Sequence, residues 1–152
     1  MIGLFQKLFG NKGDFLFSIF IFTFLMSIYL FTMPLSITTE DSGELVSAAI
    51  TLGIPHPSGY PLWTIVGHLF TYLPIGPIVW RINLLSAVCG ALTCVLIYLI
   101  LRRLIKPKFI ALASGLLLGL SFTFWTQSTY AKFYTLNTFL ISLSILILLF
   151  WQ

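Results

Sequence analysis

Charge is scarce in this 152-residue chain: Asp, Glu, Lys and Arg make up 8% of it, against about 25% in soluble domains. Only Asp14, Glu40, Asp41 and Glu44 are acidic, and there are two histidines and two cysteines. So little charge cannot clothe a water-soluble surface. With 59% hydrophobic residues and a mean hydropathy of +1.04, the chain reads as an integral membrane protein. Cys89 and Cys94 lie in one apolar stretch and project about 140° apart at about 100° per residue. That is packing, not a disulfide or metal pair. His56 and His68 lack further ligands at metal-binding spacing, so neither metal nor cofactor is implied. The net charge of +4 is no nucleic-acid footprint, because its placement follows topology instead.

What is present is length and apolarity in the right units. A span needs roughly 20 mostly apolar residues. Residues 15–33 qualify without an internal charge, and with no small-residue cleavage site after them they read as an uncleaved signal anchor. Further spans are expected over 83–101, 109–125 and 135–151. Residues 61–73, bounded by Pro61 and Pro74, are too short to cross and suit a re-entrant or interfacial helix. The expected fold is an all-α polytopic membrane bundle of about four transmembrane helices, a single membrane domain over 1–152. Lys7, Lys12, Arg102, Arg103, Lys106 and Lys108 then fall on one side, and only Arg81 and Lys132 on the other. By the positive-inside rule the amino terminus is cytoplasmic and loop 34–82 faces outward. Ser86, Gly90 and Cys94, and likewise Gly115 and Gly119, recur at four-residue spacing, which permits close helix packing.

Three of the four carboxylates stand together at Glu40, Asp41 and Glu44, at the start of that outward loop. Acidic residues beside a bilayer mark a candidate functional site. After them, Leu45, Ala48, Ala49 and Leu52 form the apolar stripe of a short helix, which Gly53 can cap and Pro55 prevents from resuming. Asp41 as N-cap and Glu44 at N3 would make a capping box. A carboxylate fixed at a helix N-terminus can equally serve as a general base toward a hydroxyl. His56, between Pro55 and Pro57 on a backbone with little freedom, is a presented side chain. Tyr60 and Trp63 suit the membrane interface. Arg81, where the chain re-enters the bilayer, can hold a phosphate or snorkel as an anchor.

The ordered series Asp41-Ser42-Gly43-Glu44-Leu45, Leu52-Gly53-Ile54-Pro55-His56-Pro57-Ser58-Gly59-Tyr60-Pro61-Leu62 and Trp80-Arg81-Ile82-Asn83-Leu84-Leu85-Ser86 resembles domain-of-unknown-function family 2723. That family is related to protein O-mannosyltransferases and other membrane glycosyltransferases of the C-type fold, and the likeness covers only the amino-terminal part of a family member. It implies a glycosyltransferase moving a sugar from a polyprenyl- or dolichyl-phosphate donor to an acceptor hydroxyl on a protein or glycan. By the same resemblance Asp41 is the general base and Glu44 its partner or the alternative base. His56 and Tyr60 shape the substrate site, and Arg81 meets the lipid phosphate. Family members often carry an acidic residue where this chain has Lys132. A lysine there can face a phosphate but cannot serve as a second carboxylate. The partners implied are membrane lipid, the lipid-linked donor and the acceptor. The chain is expected to be an inactive fragment. The alternatives are a non-enzymatic small membrane subunit, with Asp41 and Glu44 merely capping a helix, or a transporter fragment, against which the spans hold almost no ionisable residue.

Overall fold

The computed structural model describes residues 12–37 and 41–151, so Lys7 and Glu40 lie outside the described residues. Among the described residues seven helices follow in order: α1 Lys12–Thr32, α2 Ser42–Thr51, α3 Pro61–Thr71, α4 Ile78–Leu104, α5 Lys108–Leu120, α6 Phe122–Thr129 and α7 Tyr134–Trp151. Helices α1, α4 and α7 are each long and apolar enough to cross a membrane, and α5 with α6 passes the same test only as a bent pair, a broken span or a re-entrant loop. The expected all-α bundle is therefore what forms.

Helix α4 is the hub. Its membrane-length window is 67% buried, against 22% for α1 and 17% for α7, so α4 is wrapped by protein while the other two keep broad apolar faces outward. Its sequence explains this. Ser86, Ala87, Gly90, Ala91 and Cys94 are small and buried, which lets neighbouring backbones close in. The main core joins Ile21, Leu25 and Tyr29 of α1 to Ala87, Ala91, Cys94 and Tyr98 of α4 and Ala111 of α5. Cys89 and Cys94 are free and buried, as the packing reading requires.

The third of the expected spans departs from that reading. Instead of one straight span over 109–125, the helix breaks at Ser121, which is extended (φ −62°, ψ 136°), and α5 and α6 meet at 62°. A Gly-Leu-Ser sequence is a recognised cause of such kinks, and the freed carbonyls find donors. Tyr29 Oη donates to Gly119 O at 2.8 Å, and Ser121 Oγ donates to Leu118 O at 2.7 Å. Gly119 lets α1 approach closely: a Cβ there would meet Leu25 Cδ1 at 2.4 Å, so the leucine side chain would have to move.

Both ends of the bundle are polar. At one, Asp14 accepts from Tyr98 Oη at 2.7 Å and from Arg102 Nε at 2.8 Å, while Arg102 Nη1 also donates to Lys106 O. That staple pairs a buried carboxylate, the condition under which burial is tolerated. At the other end α2 and α3 cover the start of α4. Leu45, Val46 and Ala49 pack with Trp63, Ile82, Leu85 and Ala131 in a second core. Two local expectations change here. Helix α2 ends with Leu52, not Gly53, in the left-handed conformation (φ 53°), and Gly53 N–H closes back on Ala48 O at 3.0 Å. Leu52 is consequently exposed, at the edge of its expected stripe. Trp63 is no interfacial anchor but 2% exposed. Gly67, one turn on, lacks the Cβ that would crowd Ala49 at 3.2 Å, so α3 lies close enough to bury the indole.

Candidate functional site

The loop between α2 and α3 is shaped by its prolines and glycine. Gly59 (φ +80°) closes a turn by donating to His56 O at 2.9 Å. Tyr60 follows with φ 40°, a left-handed conformation uncommon for any residue but glycine. It is held by its ring, which stacks on Phe133 with centroids 3.8 Å apart and meets the edge of His56 at 5.5 Å. Phe133 belongs to the turn between α6 and α7, which Ser86 of α4 grips from below. Ser86 Oγ donates to Lys132 O at 3.1 Å and accepts from Lys132 N–H at 3.3 Å.

Three segments far apart in sequence thus meet: the start of α2, the His-Pro-Ser-Gly-Tyr-Pro loop, and residues 130–134. The capping box does not form. Asp41 occupies the N-cap position with helical dihedrals and no side-chain cap bond; an N-cap that bonds the following N–H groups normally has extended dihedrals. Its carboxylate turns instead to Lys132, Oδ2 to Nζ 3.4 Å, an ion pair longer than a tight hydrogen bond. The lysine side chain is 4% exposed and the aspartate 52%. A buried ammonium thus stands against a solvent-reaching carboxylate, whose Oδ1 has no hydrogen-bond partner among the described residues.

Glu44 is committed elsewhere. Its Oε1 accepts from the His56 backbone N–H at 2.6 Å and its Oε2 from His56 Nδ1 at 2.8 Å. These bonds to the imidazole and then to the backbone hold the Glu44 carboxyl below its ordinary range. An ionised carboxylate only accepts, so Nδ1 carries the hydrogen. In the neutral imidazole the lone pair is then at Nε2, for which there is no partner among the described residues. The structure therefore separates two carboxylates that sequence left interchangeable: Asp41 keeps an open oxygen, whereas Glu44 orients a histidine.

Arg81, in the first turn of α4, is not joined to this group. Its Nε donates to Ile75 O at 2.8 Å, Nη1 to Thr71 O at 2.8 Å and Nη2 to Gly76 O at 2.8 Å, so it caps α3 and ties down the α3–α4 turn. Two of its five N–H groups have no partner among the described residues. Beside the stacked rings a groove of about 340 Å³ is lined by Tyr60, Trp63, Phe133, Leu136, Asn137 and Leu140. Among the described residues no cluster of three metal-ligating side chains occurs. Sequence reasoning missed the Tyr60–Phe133 stack and the Ser86 grip. The signal for the second was a small polar residue in a packing stripe.

Comparison with known proteins adds an independent line. Residues 41–152 match the family described as the protein O-mannosyl-transferase TMEM260 N-terminal domain, a stretch that begins on Asp41 and includes Glu44, His56, Tyr60, Arg81 and Lys132. The chain is similar to a protein from Mus musculus named protein O-mannosyl-transferase TMEM260, at 36% identity over 115 residues, covering 72% of the chain and 16% of that protein. It is also similar to one of the same name from Dictyostelium discoideum, at 26% identity over 111 residues, covering 71% and 14%. The chain thus spans about one sixth of the curated relatives it matches. No solved structure matches.

Proposed function

Because this chain belongs to the family of the protein O-mannosyl-transferase TMEM260 N-terminal domain and is a multi-pass membrane protein, we propose that it forms the first-loop site of a membrane glycosyltransferase. The reaction moves a sugar from a polyprenyl- or dolichyl-phosphate donor to an acceptor hydroxyl, on the extracytoplasmic face. The observation that carries this reading is the half-exposed Asp41 carboxylate, ion-paired through one oxygen to buried Lys132 and open at the other.

In the proposed step the acceptor oxygen attacks the anomeric carbon of the donor. The bond from that carbon to the phosphate oxygen breaks and its electron pair leaves with the lipid phosphate. The acceptor proton passes to Asp41 Oδ1, a general-base role. Lys132 fixes that carboxylate and supplies positive charge beside it as negative charge gathers on the phosphate. Glu44 positions His56, whose Nε2 and ring edge bound the site with Tyr60. The groove from Tyr60 to Leu140 is apolar enough for the first isoprene units. Arg81 contributes through the turn it holds, with two N–H groups left for a phosphate. The curated relatives extend far beyond the matched stretch, so the whole reaction is proposed for the full-length family protein and the 152 residues alone are expected not to transfer.

The test is Asp41→Asn and Glu44→Gln in a full-length family member, with membrane insertion checked. Asp41→Asn is expected to lower transfer from the lipid-linked donor by about 10²–10⁴-fold, and Glu44→Gln by less. Unchanged transfer in Asp41→Asn refutes the base assignment.

A further inference from the structure

The end of the bundle held by the Asp14 staple carries a lopsided charge. Among the described residues Lys12, Arg102, Arg103, Lys106 and Lys108 stand there against Asp14 alone. The Asp41 end is balanced, with Arg81 and Lys132 against Asp41 and Glu44. Asp14 is engaged by Arg102, Oδ1 to Nε 2.8 Å. Arg102 also donates to Ile105 O at 3.3 Å and to Lys106 O at 2.8 Å. It thereby fixes the α4–α5 turn, which displays Lys106 and Lys108 on either side of Pro107. Lys12, Lys106 and Lys108 are exposed, and among the described residues none of the three is ion-paired to a carboxylate.

A topological signal needs only positive residues on one side of the membrane. It does not require them to be gathered or held, and here they are both. The staple joins the first turn of α1 to the end of α4 across 88 residues, which brings Lys12 to the same end as Lys106 and Lys108. Aromatic faces seat two of the cations at cation–π distance. Lys108 Nζ lies 5.6 Å from the Phe17 ring centre and 5.3 Å from that of Phe109, and the Arg103 guanidinium lies 4.3 Å from that of Phe150. Beside them Leu104, Phe109 and Ile110 are each more than half exposed. Ammonium groups thus stand directly against apolar side chains that face outward.

We propose that this end of the bundle binds anionic phospholipid. Lys12, Lys106 and Lys108 meet the negative headgroup, and Leu104, Phe109 and Ile110 meet the upper part of its acyl chains. A soluble anion would use the lysines alone and leave the apolar side chains uncovered, whereas an acidic amphiphile satisfies both. Basic clusters next to a span attract acidic lipid by about fivefold in affinity per cation. This inference stands on the staple end alone and does not need transfer to occur at Asp41.

Leu104→Cys in the 152-residue chain, labelled with bimane and reconstituted in nanodiscs, puts a reporter beside the lysines. The native cysteines are buried, and the unsubstituted chain gives their background. Both leaflets of a nanodisc share one composition, so the direction of insertion does not enter. Brominated phosphatidylserine is expected to quench the label at a several-fold lower mole fraction than brominated phosphatidylcholine. The same label at Phe31→Cys, exposed in the last turn of α1, is expected to be quenched equally by both. Adding Lys106→Gln and Lys108→Gln together is expected to remove most of the preference at Leu104→Cys. Lys106→Gln alone, at an exposed position whose carbonyl and not its side chain holds the turn, is expected to lower it by up to about fivefold. Equal quenching by the two lipids at Leu104→Cys overturns the proposal. An equal preference at Phe31→Cys does so too, because it would report the charge of the whole chain. So does a preference abolished by millimolar inorganic phosphate at constant ionic strength, the mark of a site for a soluble anion. A preference unchanged in Lys106→Gln overturns it even if the double variant fails to fold.

Discussion

Replacing Lys132 by methionine separates a structural from a catalytic reading of the Asp41 site. The ammonium lies 3.4 Å from Asp41 Oδ2, with the lysine side chain 4% exposed and the aspartate 52% exposed. Coulomb's law at that distance gives about 5 kcal/mol at an effective dielectric of about 20 and about 1 kcal/mol in water. Because Asp41 is half in water, the pair's coupling belongs toward the lower figure, about 1–2 kcal/mol. Against it stands the desolvation of an ammonium, several kcal/mol even after relaxation. Methionine keeps the unbranched stem and removes the charge, so Lys132→Met is expected to leave thermal stability unchanged or slightly higher. Asp41→Asn removes this carboxylate's attraction for the ammonium and is expected to destabilise by about 1–2 kcal/mol, the coupling given above. The double variant should recover that loss. Transfer follows a different order: it falls at least about tenfold in Lys132→Met if the cation supports the base and leaving group, and is not rescued in the double variant. Unfolding in nanodiscs, with transfer measured in a full-length relative, gives both orders. Lys132→Met that is strongly destabilised, or stable and fully active, refutes this account.

Two further outcomes follow from the same end of the molecule. The Glu44 carboxyl is lowered by its bonds to His56, so the bonded form is fully favoured above the ordinary glutamate value of about 4.3 and is lost as pH falls through the lower folded value. Hydrogen exchange at the His56 amide is expected to be slow at neutral pH and to speed up, beyond the intrinsic change, only in acid below the ordinary glutamate range; in Glu44→Gln that step should be absent. The outward assignment of residues 34–82 is checked by Ser58→Cys, an exposed position, in intact cells. A membrane-impermeant maleimide is expected to label it from outside, and labelling only after lysis reverses the topology.

How much of this was legible in the sequence depends on the distance over which each contact is made. Helix spans, the ends of the apolar runs and the stripe of Leu45, Ala48 and Ala49 are set by neighbours within a turn or two, and they were read nearly in place. The α5–α6 elbow was not, although Gly119 and Ser121 announce flexibility. What fixes the bend is Tyr29 Oη on Gly119 O, a contact across 90 residues. The same reason undid the capping box. Its local logic for Asp41 and Glu44 was sound, since both side chains stand where a helix start could use them. Each was claimed by a more distant partner, the Lys132 ammonium at 91 residues' separation and the His56 imidazole and amide at 12. A helix N-terminus offers roughly half a unit of charge spread over several N–H groups, whereas a buried ammonium offers a whole one at a point. Lys132, which the family pattern marked as a departure, thereby explains why Asp41 abandons the helix it begins. Where the same position is acidic, that attraction becomes repulsion. Asp41 is then expected to return to its N-cap or to require a cation from another part of the protein.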